Sequence, residues 1–355
     1  MKIVSKLIVL TVVLFVGAGV WGYYTLNATL NQPLQIEVAD TLDVPPGSTP
    51  ARVFFGLEQR GVIERASWVR RYWQWQMPDT ILQVGEYRLA PGMPVRQLLS
   101  QLQRGEVVQR SVTLVEGWSF SQFRTALASA ERLQHSLPDD WSNSRVMAEL
   151  ELEHDHPEGL FFPDTYQYTL GMSDRDILLR AYQRMQQELE AAWAQRAEGL
   201  PIETPYEALI LASIIEKETG VPHERGEIAG VFTRRLQKGM RLQTDPTVIY
   251  GMGEDWQGNI RRSDLRRPTP YNTYTIDGLP PTPIAMPGRD SLRAAVNPTP
   301  GKSLYFVARG DGSHVFSETL QEHNRAVRHF QILRRAPNYR SSPPPAEPAD
   351  SGAAP

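Results

Sequence analysis

The N-terminus constrains the fold of this chain most, because it contains a long, uncharged apolar segment. Residues 7–24 read LIVLTVVLFVGAGVWGYY, which is 18 residues without a charge, and Lys2 and Lys6 precede them. The next charged residue is Glu37, so the uncharged stretch is long enough to cross a hydrocarbon core of ~30 Å as a helix. Lysines on the N-terminal side alone predict a cytoplasmic N-terminus.

A cleaved signal peptide begins with the same charged start and apolar run. Here the run is long, and its small-residue triplet at 17–19 lies inside it, so the sequence favours a retained anchor. We therefore predict a cytoplasmic stub at 1–6, a transmembrane helix at 7–24 and a linker at 25–36. The rest of the chain is then expected in the periplasm, with the protein a single-pass inner-membrane protein.

Charge and residue usage exclude several classes of function. The 355 residues include 37 basic and 40 acidic ones, a net charge of −3, which argues against nucleic-acid binding. The absence of cysteine excludes disulfides, thiolate nucleophiles and sulfur-ligated zinc. The seven histidines are scattered, and neither His-Glu-x-x-His, a P-loop nor a Gly-x-Ser-x-Gly elbow occurs. We expect no metal and no cofactor.

The part after the anchor is predicted to be α+β. A short apolar stretch, a glycine turn and a helical pattern follow one another three times, with the turns at Gly47, Gly92 and Gly117. We interpret the first two units, residues 37–110, as a small α+β module, and the third as the entry to a larger mixed domain at 111–335. A single domain with ordinary strand–turn–helix punctuation is the alternative. The tail at 336–355, rich in proline, alanine and serine, is predicted to be disordered.

One helix has strong boundary signals at both ends. Thr204 and Glu207 form a capping-box pattern, Pro205 suits the first helical position, and Gly220 follows the end. The body, YEALILASIIEKET, is apolar on nearly every face, so the helix is predicted to be buried.

Two carboxylates, Glu216 and Glu218, end this apolar helix. Burial and the negative end of the helix dipole both favour a protonated carboxyl, the state that a general acid needs. The residues one and two turns before Glu218 on the same helix face are more apolar than those before Glu216. An ion pair of either one with Lys217 or an arginine at a solvated helix end is the structural alternative.

The stretches that follow, residues 242–251 and 270–283, mix Gln, Asn, Thr and Tyr with prolines and show little regular periodicity. Long irregular segments within a compact domain are usually functional. Amide and hydroxyl groups between aromatic faces suit neutral hydroxylated ligands such as sugars, whereas a proline-stiffened surface loop is the plain alternative. Residues 304–317 are predicted to form a hairpin.

Five motifs in the same order resemble one family. They are EGLFFPDTY at 158–166, ASIIEKE at 212–218, LQTDPTVIYG at 242–251, YNTY at 271–274 and GLPP at 278–281. Together they resemble the endolytic murein transglycosylases, the MltG or YceG-like family, from the anchor to about residue 335. The polar stretch at 131–156 and the tail carry no such likeness.

The resemblance implies a membrane-anchored lytic transglycosylase with a LysM-like module before its catalytic domain. Such an enzyme cleaves the β-1,4 bond between N-acetylmuramic acid and N-acetylglucosamine and leaves a 1,6-anhydro end. The muramic acid C6 hydroxyl attacks its own anomeric carbon, so that one carboxyl can act as acid and then base. The family's catalytic Glu falls on Glu218.

The substrate-binding candidates are chosen by chemistry and position within the motifs: Glu158, Asp164, Gln243, Asp245, Tyr250, Tyr271 and Asn272. Expected partners are peptidoglycan glycan strands and the inner membrane, with peptidoglycan synthases as candidate protein partners and no nucleic acid. The expected role is termination of strand elongation. A non-catalytic glycan-binding scaffold and an ordinary hydrolase, which would leave a reducing end, are the alternatives.

Overall fold

The computed structural model describes residues 2–333, with side chains from residue 3 onward. In this part the α-helices are α1 (Lys2–Asn31), α2 (Pro50–Gln59), α3 (Ala66–Gln76), α4 (Val95–Arg104), α5 (Phe120–Ala128), α6 (Asn143–Glu149), α7 (Asp174–Ala194), α8 (Pro205–Glu218), α9 (Arg225–Gln237), α10 (Asp245–Met252), α11 (Arg289–Val296) and α12 (Leu320–Val327). The strands are β1 (Asp40–Val44), β2 (Gly85–Leu89), β3 (Arg110–Thr113), β4 (Thr165–Tyr168), β5 (Tyr305–Ala308) and β6 (His314–Ser317). Short 3₁₀ turns occupy Pro222–Glu224, Gly253–Asp255 and Asp264–Arg266, and a π-helical turn occupies Arg328–Leu333.

The strands form three two-stranded sheets, β1 with β2, β3 with β4 and β5 with β6. The mixed α+β class predicted from the sequence is confirmed. Each predicted strand–turn–helix unit is present, as β1–α2, β2–α4 and β3–α5. The first two turns require glycine, because Gly47 and Gly92 have φ values of 75° and 78°, in the left-handed region.

The described chain divides into two compact units. The first comprises the residues up to Ser111, together with 130–134 and 167–173. The second comprises 112–129, 135–166 and the residues from Asp174 onward. What each unit does is not decided by this division, so the assignment of 37–110 to a glycan-binding module and of 111–335 to a catalytic domain stays a prediction. The predicted tail at 336–355 lies outside the described residues.

Helix α1 is apolar and long enough to span a membrane, with mean hydropathy 2.4 in its most apolar window and no buried residue there. It is longer than the predicted span of 7–24, because residues 25–31, expected in a linker, continue it. No glycine or proline interrupts these residues before Pro33. Leu30, in the last turn, is only 2% exposed and belongs to the core of the first unit.

The core of the first unit lies between the β1–β2 sheet and helices α2, α3 and α4. Strands β1 and β2 are antiparallel, with Leu42 opposite Tyr87. Tyr87, Phe54 and Trp73 are almost fully buried, and the last two pack edge to face, with ring centroids 5.7 Å apart. The elements of this module follow one another as β1, α2, α3, β2 and α4.

The second unit is built around α8. All residues from Ala208 to Ile215 are buried, and α8 packs against α7, α9, α10 and α11. The predicted capping box is confirmed: the Thr204 hydroxyl accepts the Glu207 N–H, and the Glu207 carboxylate accepts the Thr204 N–H. The predicted hairpin is also confirmed as β5 and β6, which pair antiparallel.

The packing of α8 predicts that its core residues contribute strongly to stability. Leu211→Ala is expected to lower the free energy of unfolding by about 2–5 kcal/mol, since Leu211 is completely buried and its removal leaves a cavity. Urea denaturation of the full-length protein in detergent, followed by circular dichroism, measures the change. The control is Leu320→Ala, at a leucine that is 55% exposed, where a change within about 0.5 kcal/mol is expected. Equal effects of the two substitutions would contradict the assignment of α8 as the core helix.

Candidate active site

Glu218 is the last residue of α8, where the buried helix reaches a polar region. The Thr244 hydroxyl, itself buried, donates a hydrogen bond to Glu218 Oε1. The Thr244 N–H in turn donates to Thr273 Oγ1 at 3.0 Å, which fixes the threonine. With Oε1 occupied as an acceptor, Oε2 is the oxygen left to carry a proton.

Burial sets the protonation of Glu218. Burial, together with the smaller effect of the negative charge of Asp245, raises the pKa of this carboxyl to about 7. The Thr244 hydrogen bond and the positive charge of Arg235 act in the opposite direction. Near pH 7 both the acid and the carboxylate are populated, which suits a group that must first give and then take a proton.

Glu216 is bound differently. Its Oε2 accepts the Gly288 N–H at 3.0 Å, and its Oε1 lies 3.5 Å from Arg225 Nη2. The side chain is only 6% exposed, so both carboxylate oxygens are used inside the protein. These contacts give Glu216 a structural role.

Arg235, on α9, holds the segment that precedes α10. Its guanidinium donates to the carbonyls of Leu304 at 2.7 Å, Leu242 at 2.9 Å and Arg241 at 3.1 Å. Gln243, which follows Leu242, has a φ of 51°, a value that a non-glycine residue rarely adopts. The arginine therefore stabilises a strained turn that leaves Gln243 exposed beside Thr244.

Asp245 begins α10 and is exposed. Its Oδ1 accepts a hydrogen bond of 2.7 Å from the Tyr274 hydroxyl. Burial raises the pKa of Tyr274, and the Asp245 charge adds to the effect, so this phenol stays a proton donor. Thus Gln243 and Asp245 flank Thr244, the residue that is bonded to Glu218.

A second buried carboxyl, Glu158, is 5% exposed. Its Oε1 accepts the Phe120 N–H at 2.9 Å, and its Oε2 accepts the Tyr250 hydroxyl at 3.3 Å. Burial raises the pKa of Glu158 to about 7, although both hydrogen bonds favour the charged form. His156 Nε2 lies 3.3 Å from the same Tyr250 hydroxyl, and burial lowers the pKa of this histidine.

Tyr271 and Asn272, which are neighbours in the chain, have different roles. The Tyr271 ring packs edge to face on Tyr250, with centroids 4.9 Å apart, and its hydroxyl lies 2.8 Å from Thr282 Oγ1. Asn272 is 1% exposed. Its amide nitrogen donates to two backbone carbonyls and its amide oxygen accepts the Tyr274 N–H, so it supports the loop from within.

Asp164 is exposed, and its carboxylate accepts the N–H of the next residue, Thr165, at 2.7 Å. Its backbone carbonyl accepts the Leu114 N–H at 2.9 Å, next to the β3–β4 pairing. These contacts are local to the start of β4. The geometry thus links Gln243 and Asp245 to Glu218, and Tyr250 and Tyr271 to Glu158, whereas Asp164 and Asn272 make contacts that support the chain.

Sequence reasoning missed Thr244, Arg235 and His156. Thr244 lies inside a motif that the sequence singles out, so its place between Gln243 and Asp245 was a usable signal. Arg235 has no local signal, because its acceptors include a carbonyl 69 residues away. Among the described residues no group of three or more His, Cys, Asp or Glu side chains could hold a metal ion.

The second unit is α+β, and its buried helix ends in a carboxyl of near-neutral pKa beside hydroxyl and amide groups. Such a site is suited to general acid–base chemistry. The chain belongs to the YceG-like family, whose model matches residues 42–329.

Three relatives add detail to this membership. An endolytic murein transglycosylase of Bacillus subtilis is 28% identical over 327 residues, covering 86% of this chain and 89% of that one. One of Streptococcus pneumoniae is 27% identical over 349 residues, covering 88% of this chain and 62% of that one. The 2.6 Å crystal structure of a yceG-like protein of Listeria monocytogenes matches with a TM-score of 0.50 and 30% identity, covering 81% of this chain and 98% of that one.

The contacts of Glu218 predict how its pKa responds to its neighbours. Thr244→Val removes a hydrogen bond that favours the carboxylate, so the pKa of Glu218 is expected to rise above about 7. Carbon-13 NMR titration of glutamate-labelled protein measures the value, with Glu218→Gln identifying the resonance.

Two further variants provide controls for this titration. Thr244→Ser keeps the hydroxyl and is expected to leave the pKa unchanged. Asp245→Asn removes a negative charge and is expected to lower the pKa of Glu218. A shift in the same direction for Thr244→Val and Asp245→Asn would contradict the described environment of Glu218.

Proposed function

We propose that this protein is a membrane-anchored endolytic murein transglycosylase with Glu218 as its catalytic acid and base. The observation that carries the proposal is the Glu218 carboxyl at the end of a buried helix, with Oε1 held by Thr244 and a pKa near 7. Membership of the YceG-like family and the similarity to endolytic murein transglycosylases of Bacillus subtilis and Streptococcus pneumoniae support it.

The proposed reaction needs one carboxyl. Protonated Glu218 donates its Oε2 proton to the glycosidic oxygen between N-acetylmuramic acid and N-acetylglucosamine as the bond from C1 to that oxygen breaks. The C6 hydroxyl of the muramic acid then bonds to C1 and returns its proton to the Glu218 carboxylate. The products are a 1,6-anhydro end and a free 4-hydroxyl, with no water consumed and Glu218 restored.

The neighbouring residues fit distinct tasks in this scheme. Gln243 and Asp245 are exposed on either side of Thr244 and are suited to bind sugar hydroxyl or acetamido groups close to the cleaved bond. Tyr250 and Tyr271, fixed by Glu158 and Thr282, offer ring faces to the strand. Asn272 and Asp164 act by supporting the loop and the start of β4.

The remaining parts fit a protein that works beside the membrane. Helix α1 is proposed as a single-pass inner-membrane anchor, with its N-terminus in the cytoplasm and the rest of the chain in the periplasm. The unit at 37–110, in which α4 follows a strand–helix–helix–strand arrangement, is proposed as a LysM-like module that binds glycan strands. Such a placement supports a role in ending the elongation of nascent strands, next to peptidoglycan synthases.

The central test is the loss of the proposed acid. Glu218→Gln is expected to lower the release of anhydro-ended fragments from purified murein by at least about 100-fold, because proton transfer contributes that much. Mass spectrometry of the digests measures the ends. The control Glu254→Gln alters an exposed glutamate and is expected to keep full activity.

Three outcomes of this experiment separate the alternatives. Full activity of Glu218→Gln would contradict the proposal. Reducing ends in place of anhydro ends would identify an ordinary hydrolase. Binding of murein by the wild-type protein without any new ends would identify a scaffold.

The raised pKa values also predict the pH dependence. The reaction needs protonated Glu218, so kcat/KM is expected to fall as pH rises above about 7, tenfold for each further pH unit. An unperturbed glutamate would instead cause this fall above about pH 4.3.

Because the pKa of Glu158 is also about 7, the pH profile is measured in Glu158→Gln as well. The fall near pH 7 is expected to remain in that variant. If the fall is absent in Glu158→Gln, the group that titrates near pH 7 is Glu158 and not Glu218.

A further inference from the structure

Four rings with solvent access lie in the second unit: His154 is exposed, and Tyr206, Tyr250 and Tyr271 are partly exposed. We call them the aromatic row. His154 and Tyr206 are stacked almost in parallel, with centroids 5.3 Å apart and 9° between their planes. Tyr250 and Tyr271 pack edge to face with centroids 4.9 Å apart. Neither His154 nor Tyr206 was singled out by the sequence motifs.

The two pairs are neighbours. Burial raises the pKa of Tyr206 and of Tyr250, and the phenols lie close enough for Tyr271 to raise both further and for Tyr206 to raise that of Tyr250. The Tyr271 hydroxyl is fixed by Thr282, and the Tyr250 hydroxyl by Glu158. Tyr250 and Tyr271 are therefore held in place before any ligand binds, which lowers the entropic cost of binding.

Helix α8 gives the row its direction. Tyr206 is in the first turn of α8 and Glu218 is its last residue, so the two lie about 18 Å apart along the axis at 1.5 Å per residue. Helix α10 packs against α8, beginning with Asp245 next to Glu218 and carrying Tyr250 about 7.5 Å further along. The row thus extends from the α10 flank of Glu218 toward the far end of α8.

We propose that the aromatic row is an extended binding site for the glycan strand on one side of the cleaved bond, with the stacked pair of His154 and Tyr206 as its distal subsite. This inference rests on the proposed function and adds the residues that hold sugars remote from Glu218. The C–H faces of pyranose rings stack on aromatic faces, and the phenol hydroxyls and imidazole nitrogens supply polar contacts at the ring edges.

The length of the row fits cleavage within a strand. A site that contacts only the two sugars at the cleaved bond does not distinguish an internal bond from a terminal one. A row reaching about 18 Å beyond Glu218 contacts several further sugars and favours substrates that extend past the bond. Remote binding of this kind lowers KM for long strands and leaves short fragments unaffected.

The test compares Tyr206→Ala with wild-type full-length protein on long glycan strands and on tetrasaccharide fragments. Loss of one stacking ring is expected to raise KM on long strands about three- to tenfold, with kcat unchanged and the fragments cleaved as before. Tyr206→Ala leaves the Thr204–Glu207 capping box intact, so folding is expected to be preserved. Tyr206→Phe keeps the stacking ring and loses only the hydroxyl, so its KM on long strands is expected to lie between those of the wild type and of Tyr206→Ala.

The matched control is Trp193→Ala, on α7, which removes a partly exposed ring that stacks on Arg196 outside the row. It is expected to keep the wild-type KM. An unchanged KM in Tyr206→Ala would overturn the proposal. So would an equal loss on strands and on fragments, because that result would indicate damage at the Glu218 end.

A binding measurement separates this inference from the proposed function. In the Glu218→Gln background, the affinity for long strands is expected to fall about three- to tenfold when Tyr206→Ala is added. If wild-type protein releases no anhydro ends, the proposed function fails, yet this affinity still tests the row. If anhydro ends form and the affinity does not change, the row alone is wrong.

Discussion

The desolvation of one carboxyl at the end of α8 is the constraint on which the second unit depends. Water would return the pKa of Glu218 to its ordinary range, so the helix must be enclosed on all sides. Four helices pack around α8, and its residues from Ala208 to Ile215 are buried. The hydrophobic core and the raised pKa of Glu218 are thus two consequences of the same packing.

A helix buried this completely needs its polar atoms satisfied. Ser213 is fully buried; its hydroxyl donates to the Ile210 carbonyl at 2.7 Å and accepts the Ile284 N–H at 3.0 Å. The Ser213 hydroxyl therefore has both a hydrogen-bond acceptor and a donor, and it attaches the irregular segment near Ile284 to the core helix. Glu216 does the same at the next turn by accepting the Gly288 N–H. Irregular chain is ordered here by contacts with a regular helix.

The sequence predicted those features that depend on residues close together in the chain. The capping box of Thr204 and Glu207, the glycine turn at Gly47 and the β5–β6 hairpin all follow from local patterns. The choice of Glu218 over Glu216, made from the apolar face of the helix, stays a prediction. Within the linker predicted at 25–36, residues 25–31 continue α1, because nothing local distinguishes a continuing helix from an extended linker once the apolar run ends.

Features that join distant parts of the chain were not predictable. Arg235 bonds to a carbonyl at Leu304, and the Tyr206 ring stacks on His154 from another segment. Neither contact leaves a periodic trace, because each depends on how the helices pack. The candidates Asn272 and Asp164 show the converse: their motifs mark them, but only the three-dimensional contacts show that their polar groups bind the protein's own backbone.

A single carboxyl that must act as acid and then as base works best when neither form is strongly preferred. Around Glu218, Asp245 and Arg235 oppose one another, and the Thr244 hydrogen bond opposes burial. Stronger burial alone would keep the group protonated and make it a poor acceptor, while a closer arginine would keep it ionised and make it a poor donor. The strained turn at Gln243, fixed by Arg235, is what places Thr244 and Asp245 together at this carboxyl. The backbone strain at Gln243 is therefore part of what sets the pKa of Glu218.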